Sequence, residues 1–180
     1  SIEKSSWRVP VIQALKKKYP EVRSAREDVM PPLAHKLYQL ASRQFVNTFQ
    51  LFYKATDNQQ GEFLAAGLNS LVNQRKLVRA IVEHKPDLIF SNYSLAVGEI
   101  PKILDKHGLS IPFVVFVPDP FTVHSIYLSK KANMTMVSTL SAYQAALDKG
   151  LNPKSILITG HPTRSEFSSR PDDIKKHRKK

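Results

Sequence analysis

Two stretches of this 180-residue chain gather side chains that can do chemistry. Residues 117–127, VPDPFTVHSIY, place an acid (Asp119), a hydroxyl (Thr122) and an imidazole (His124) within six positions. Groups of this kind take up and hand on protons when a loop holds them in place. Pro118 and Pro120 restrict that loop, which favours a fixed constellation. Residues 159–167, TGHPTRSEF, follow Gly160 with His161, Pro162 and Arg164. A cation and an imidazole after a turn glycine suit the binding of a polar or anionic group. Plain structural readings stand beside these. Asp119 can accept backbone N–H bonds in a Pro-flanked turn, His124 can be a half-buried histidine, and Arg164 can pair with Glu166.

The elements that would carry these loops are legible from residue 86 onward. DLIF (87–90) reads as a short strand ended by Ser91-Asn92-Tyr93, and residues 94–107 read as helix. IPFVVFV (111–117) is a continuous apolar run, as expected for a strand covered on both faces. MTMV (134–137) is a third strand. A helix over 139–149 follows, with Ser138 or Thr139 as N-cap and Gly150 as its stop. SILIT (155–159) is a fourth strand. This alternation predicts βαβ units, an α/β fold and a parallel sheet with helices on both faces. Ligands bind such sheets beyond the carboxyl ends of the strands. That rule selects Asn92 and Tyr93, the stretch 118–131, Ser138 and Thr139, and Gly160 to Phe167.

Before residue 86, residues 7–18 read as a short helix with Lys16, Lys17 and Lys18 in its last turn, where cations suit the helix dipole. Residues 21–30 suggest a weak edge strand. Residues 33–56 and 60–83 read as amphipathic helices, the first through Leu37, Leu40, Ala41, Phe45, Thr48, Phe49 and Phe52 at steps of three or four.

Bulk composition narrows the classes. A hydrophobic content of 42% supports one domain with a sizeable core. The net charge is +12. Residues 170–180 hold six basic and two acidic side chains, which leaves +8 on the body. A body this basic favours an anionic membrane surface, nucleic acid, or nucleotide and phosphate groups. The absence of cysteine excludes disulfides, thiolate nucleophiles and Cys-ligated zinc. No apolar run approaches the length of a spanning helix, and residues 1–10 are too polar for a signal peptide. The expectation is a cytoplasmic protein, soluble or bound peripherally.

Four segments, PDLIFSNYSLA, IPFVVFVPDPFTVH, STLSAYQAALDKGL and ILITGHPTRSEF, follow in order and at similar spacing a known pattern. It is a strand ending in PD-hydrophobic-S, a strand ending in TD-x-x-TVHP, a helix opened by a small hydroxyl residue, and TG-x-P-x-R-x-x-F. The chain thereby resembles the N-domain of the processive diacylglycerol glycosyltransferases and monogalactosyldiacylglycerol synthases, GT-B enzymes. The resemblance is close over residues 86–167 and looser over 7–85. Three departures accompany it. The family's opening strand and GGGH-like loop have no counterpart near Ser5, Ser6 and Trp7. Pro118 replaces the Thr before the Asp, and Ser125 replaces the Pro after the His. The family carries a second, nucleotide-sugar-binding domain, and residue 180 is expected to lie near the start of the linker to it.

The resemblance implies a Rossmann-like acceptor-side domain over 1–167, partial, with 168–180 as a basic tail or the start of an interdomain linker. It implies transfer of a hexose from a UDP-sugar, held by a missing C-terminal domain, to diacylglycerol or a glycolipid, with this portion inactive alone. Asp119 would accept the hydroxyl proton or orient a base. His124 would bind the acceptor or an anionic headgroup, better when protonated. Asn92, Tyr93, Thr122, Thr139, Gly160, His161 and Arg164 would position the acceptor at the cleft. No metal cluster and no cofactor motif stand out, as a metal-free transfer implies. Lys16, Lys17, Lys18, Arg43 and Lys54, beside Phe49 and Phe52, would dock on anionic lipid. Two other classes compete. One is a non-enzymatic lipid-binding module built on a degenerate half of the fold. The other is a nucleic-acid-binding α/β protein, which has only charge in its favour, since no nucleic-acid motif appears; no nucleic acid is expected as partner.

Overall fold

The computed structural model describes residues 8–23, 36, 39, 40, 54, 57 and 74–163. The chain divides into two compact units, one of Ser1–Arg26 with His161–Lys180 and one of Glu27–Gly160. In the first, α1 (Arg8–Lys18) carries Lys16, Lys17 and Lys18 in its last turn. The expected helix is therefore present, but it is poorly amphipathic: Leu15, assigned to its apolar face, is 42% exposed. Residues 21–23 form no strand; the Val22 N–H turns back to the Tyr19 carbonyl at 3.1 Å.

The second unit is built on four strands. They are β1 (Ile89–Ser91), β2 (Phe113–Val117), β3 (Met134–Val137) and β4 (Ile156–Ile158). All pair in parallel, in the order β1-β2-β3-β4. The third strand coincides with the expected MTMV; the others are shorter than the apolar runs that announce them. Helices α2 (Gln74–Val82), α3 (Ser94–Val97) and α4 (Glu99–Lys106) precede β2, and α5 (Leu140–Asp148) links β3 to β4. Residues 60–73 of the expected second helix, and most of 33–56, lie outside the described residues.

The sequence predicts one helix over 94–107, and the structure has two. Pro101 sits in the first turn of α4 and lacks the N–H that would bond back to Val97, so the ladder breaks at Gly98. The side chain of Glu99, 6% exposed, accepts from Lys102 at 2.7 Å and from Gln74 at 3.2 Å, tying α4 to α2.

Strand register decides which residues are buried. Phe113, Val115, Val117, Val137 and Ile156 face one way and form a single core with Leu77 and Ile81 of α2, Ile100, Ile103 and Leu104 of α4, and Ala142 and Ala146 of α5. The connections through α4 and α5 link consecutive parallel strands, and right-handed crossovers of this kind lie over one face. On the opposite face Phe90 and Phe116 stack with centroids 6.5 Å apart. At the amino end of the β2–β3 pair, Asn133 closes the ladder. Its Oδ1 accepts from the Phe113 N–H at 2.8 Å and its own N–H donates to the Phe113 carbonyl at 2.9 Å.

Helix α5 is defined at both ends. Thr139 caps it, its Oγ1 accepting from the Ala142 N–H at 3.2 Å. At the far end the Leu151 N–H bonds to the Ala146 carbonyl at 3.1 Å and the Gly150 N–H to the Leu147 carbonyl at 2.8 Å. This paired closure requires the left-handed backbone that Gly150 adopts at φ 85°.

Candidate active site at the carboxyl edge of the sheet

The strands all run the same way, so the loops after β1, β2, β3 and β4 emerge along one edge. The loop after β2 carries the chemistry. Its course is set by a fully buried Val123 and a nearly buried His124, which is 2% exposed. Between them and β2, Asp119 is half-buried while Phe121 and Thr122 face solvent; Phe121 is 76% exposed.

His124 caps the short 3-10 turn Ser125–Tyr127, with Nδ1 accepting from the Ile126 N–H at 3.2 Å. In this arrangement the imidazole serves the backbone of the turn that follows it. His124, expected from sequence to meet the acceptor or an anionic headgroup, is buried and forms this turn. Burial pushes the Asp119 carboxyl up from its ordinary value, and a charge on His124 acts the other way but is the smaller effect. A carboxyl held above its usual range is a better proton acceptor once ionised.

Thr139 ties two edges of the site together. Besides capping α5, its hydroxyl donates to the Pro120 carbonyl. The loop bearing Asp119 is therefore fastened to the start of α5. Ser138, one residue earlier, is 6% exposed, and its hydroxyl has no partner among the described residues.

After β1, the Ser91 hydroxyl closes a local turn by accepting from the Tyr93 N–H at 3.3 Å. Asn92 and Tyr93 are half-buried there. Helix α3, which starts from Tyr93, packs against the 3-10 turn that follows His124. After β4, the Thr159 N–H bonds to the Val137 carbonyl at 2.9 Å, and Gly160 turns at φ 75°, a backbone region that favours glycine. Asp119, Thr139 and the Asn92–Tyr93 turn thus belong to connected loops of one edge, with Gly160 beyond the neighbouring strand end. His161 is exposed and belongs to the other unit. Arg164, Arg43, Phe49 and Phe52 lie outside the described residues. Lys16, Lys17, Lys18 and Lys54 are exposed.

Two residues absent from the sequence reading, Asp57 and Lys149, join this loop. Asp57 accepts from the Ser125 N–H at 2.9 Å and from the Ser125 hydroxyl at 3.1 Å, and it pairs with Lys149 at the end of α5. Burial alone would raise the Asp57 carboxyl, but the hydrogen bonds from Lys149 and Ser125 and the charges of Lys149 and His124 together hold it below its ordinary value. Asp57 has no local sequence signal, because its partners lie 68 and 92 positions away.

A family model described as monogalactosyldiacylglycerol (MGDG) synthase matches residues 25–163. Among curated proteins, the processive diacylglycerol beta-glucosyltransferases of Staphylococcus aureus strains JH9, Newman and COL are each similar to this chain. The identity is 22% over 136 residues, covering 74% of this chain and 34% of the relative. The chain thus spans about a third of the length of the curated relatives it matches. No helix among the described residues is long and apolar enough to cross a membrane.

Proposed function

Because the chain belongs to the monogalactosyldiacylglycerol synthase family, we propose that it is the acceptor-side portion of a glycosyltransferase that moves a hexose from a UDP-sugar to diacylglycerol or a glycolipid. The relatives named above act on diacylglycerol by their names. The observation that supports the reading here is the half-buried Asp119, raised by burial, on a loop fastened to α5 through Thr139. In this reading Asp119 takes the proton of the acceptor hydroxyl as that oxygen attacks the sugar carbon and the nucleoside diphosphate leaves. His124 shapes the loop from within, and Asn92, Tyr93, Thr122 and Gly160 line or flank the acceptor's approach. Positive charge for the leaving pyrophosphate comes from the nucleotide-sugar-binding domain that accompanies this one in the whole protein. The portion alone is inactive.

Membrane docking belongs to the same proposal. The exposed Lys16, Lys17 and Lys18 of one unit and Lys54 of the other would each contribute about 1 kcal/mol at an anionic surface, and Arg43, Phe49 and Phe52 are further candidates from the sequence.

The test is transfer from UDP-glucose and UDP-galactose to diacylglycerol in anionic vesicles by the whole protein. Removing a general base costs about 10²- to 10⁴-fold, so Asp119→Ala should lower kcat/KM by that factor with the melting temperature kept. Vesicle binding without UDP-sugar affinity in the whole protein would instead establish the non-enzymatic lipid-binding module. Transfer unchanged by Asp119→Ala would remove Asp119 from the mechanism.

A further inference from the structure

Ser125 follows His124 directly in the β2 loop. It gives two donors, its N–H and its hydroxyl, to the same Asp57 carboxylate, where a proline would have no N–H to give. Lys149 pairs with that carboxylate and its Nζ lies 3.3 Å from the Ser125 hydroxyl. Lys149 is also the C-cap residue of α5, where the helix dipole favours a cation. Helix α5 therefore holds the β2 loop from both of its ends. Thr139 at its start takes the Pro120 carbonyl, and Lys149 at its close holds Asp57 against Ser125.

We propose that Asp57, with Lys149 as counter-ion, is a positioning residue for the Asp119–His124 loop, restraining it by hydrogen bonds to Ser125. The inference rests on reading that loop as the one that handles the acceptor. Asp57 touches no reacting group; it acts through Ser125, whose position fixes the turn capped by His124 and hence the exit of the loop bearing Asp119. A proline restraint could stand in for the clamp: His124 is extended at φ −66° and ψ 139°, a conformation compatible with a following proline, and Ser125 is the first residue of the 3-10 turn, where proline is tolerated.

That compatibility makes the clamp testable by a double-mutant cycle in the whole protein, using Asp57→Ala, Ser125→Pro and the pair. Two readouts are needed: backbone amide exchange over residues 121–127, and kcat and KM for diacylglycerol in vesicles. Asp57→Ala alone should speed exchange of the Ser125 and Ile126 amides at least tenfold and raise KM for diacylglycerol more than it lowers kcat. In the Ser125→Pro background, removing Asp57 should change Ile126 exchange and kcat/KM by less than threefold. Equal effects of Asp57→Ala in both backgrounds would overturn the clamp, as would a lowered melting temperature with kcat, KM and exchange intact. If the wild-type protein transfers no sugar, the acceptor-site reading fails by itself, and the exchange cycle still decides whether Asp57 orders this loop through Ser125.

Discussion

Replacing Thr139 with alanine removes two bonds from one oxygen. The first is the cap of α5 from the Ala142 N–H, at 3.2 Å. Loss of a Thr cap to Ala costs about 0.5–2 kcal/mol, with about 1 kcal/mol typical. The second is the bond to the Pro120 carbonyl. A neutral hydrogen bond contributes about 0.5–1.5 kcal/mol net. Pro120 is exposed, so water can replace the lost donor, and the lower end applies. Together the substitution should destabilise by roughly 1.5 kcal/mol, and at about 2–4 °C per kcal/mol for a domain of this size the melting temperature should fall by roughly 3–6 °C. Thr139→Ser keeps the hydroxyl and should recover most of the loss. Urea unfolding of the three proteins, with the slope compared to verify that only stability changes, measures this directly. Exchange of the amides of 121–123 should quicken in the alanine variant and not in the serine variant. A loss below about 0.5 kcal/mol, or a serine variant as unstable as alanine, would refute the double role of this oxygen.

Other outcomes follow from the same geometry. Gly150→Ala should destabilise by about 1–2 kcal/mol, because a Cβ is strained at the φ of 85° that the closure of α5 requires, and chemical denaturation reads this. His124→Ala removes a buried ring and the cap of the 3-10 turn, and should cost about 2–4 kcal/mol; His124→Asn, which keeps an acceptor, should cost less. The two perturbed carboxylates pull stability in opposite directions with pH. Asp57 is lowered, so its contribution is present above the ordinary carboxylate range and is lost as pH falls through its folded value. Asp119 is raised, so ionising it in the folded state costs stability as pH climbs from the ordinary value through the raised one. Acid titrations of Asp57→Asn and Asp119→Asn should therefore flatten opposite limbs of the stability curve, and parallel curves would contradict the assignment. In the transfer assay, the rising limb of kcat/KM should lie above the pH at which an ordinary aspartate titrates, and disappear in Asp119→Asn.

Periodicity was informative where packing is one-sided and local. MTMV alternates half-buried and buried residues and is a strand with those bounds. Thr139 and Gly150 bracket α5 because a cap oxygen and a residue free of Cβ are local requirements that composition displays. Pro101 was equally visible, yet a continuous apolar stripe on both sides of it concealed the break, since packing keeps both segments on the same face. For the candidate site, the order of the strands made the edge predictable, and the loop after β2 with it. The burial of His124 was not, because whether an imidazole points to solvent or caps its own turn depends on the depth of Val123 and the turn after it. Asp57 was invisible for a different reason. It sits in a polar stretch, and everything that gives it a role arrives from distant positions.

The sequential order of the sheet also bears on how the unit assembles. Paired strand residues are only 20 to 24 positions apart, so each strand can add to the one before it soon after it is synthesised. Asp57 and Lys149 close a span of 92 positions. In an unfolded chain, bringing such ends together costs on the order of 1 kcal/mol more than a strand-to-strand closure. The sheet can therefore form early and the clamp last, and protection of the Ser125 amide should lag behind that of Val115 and Val137 in a refolding time course. Maturation of the site would then be the final folding event, following and not guiding the construction of the sheet that displays it.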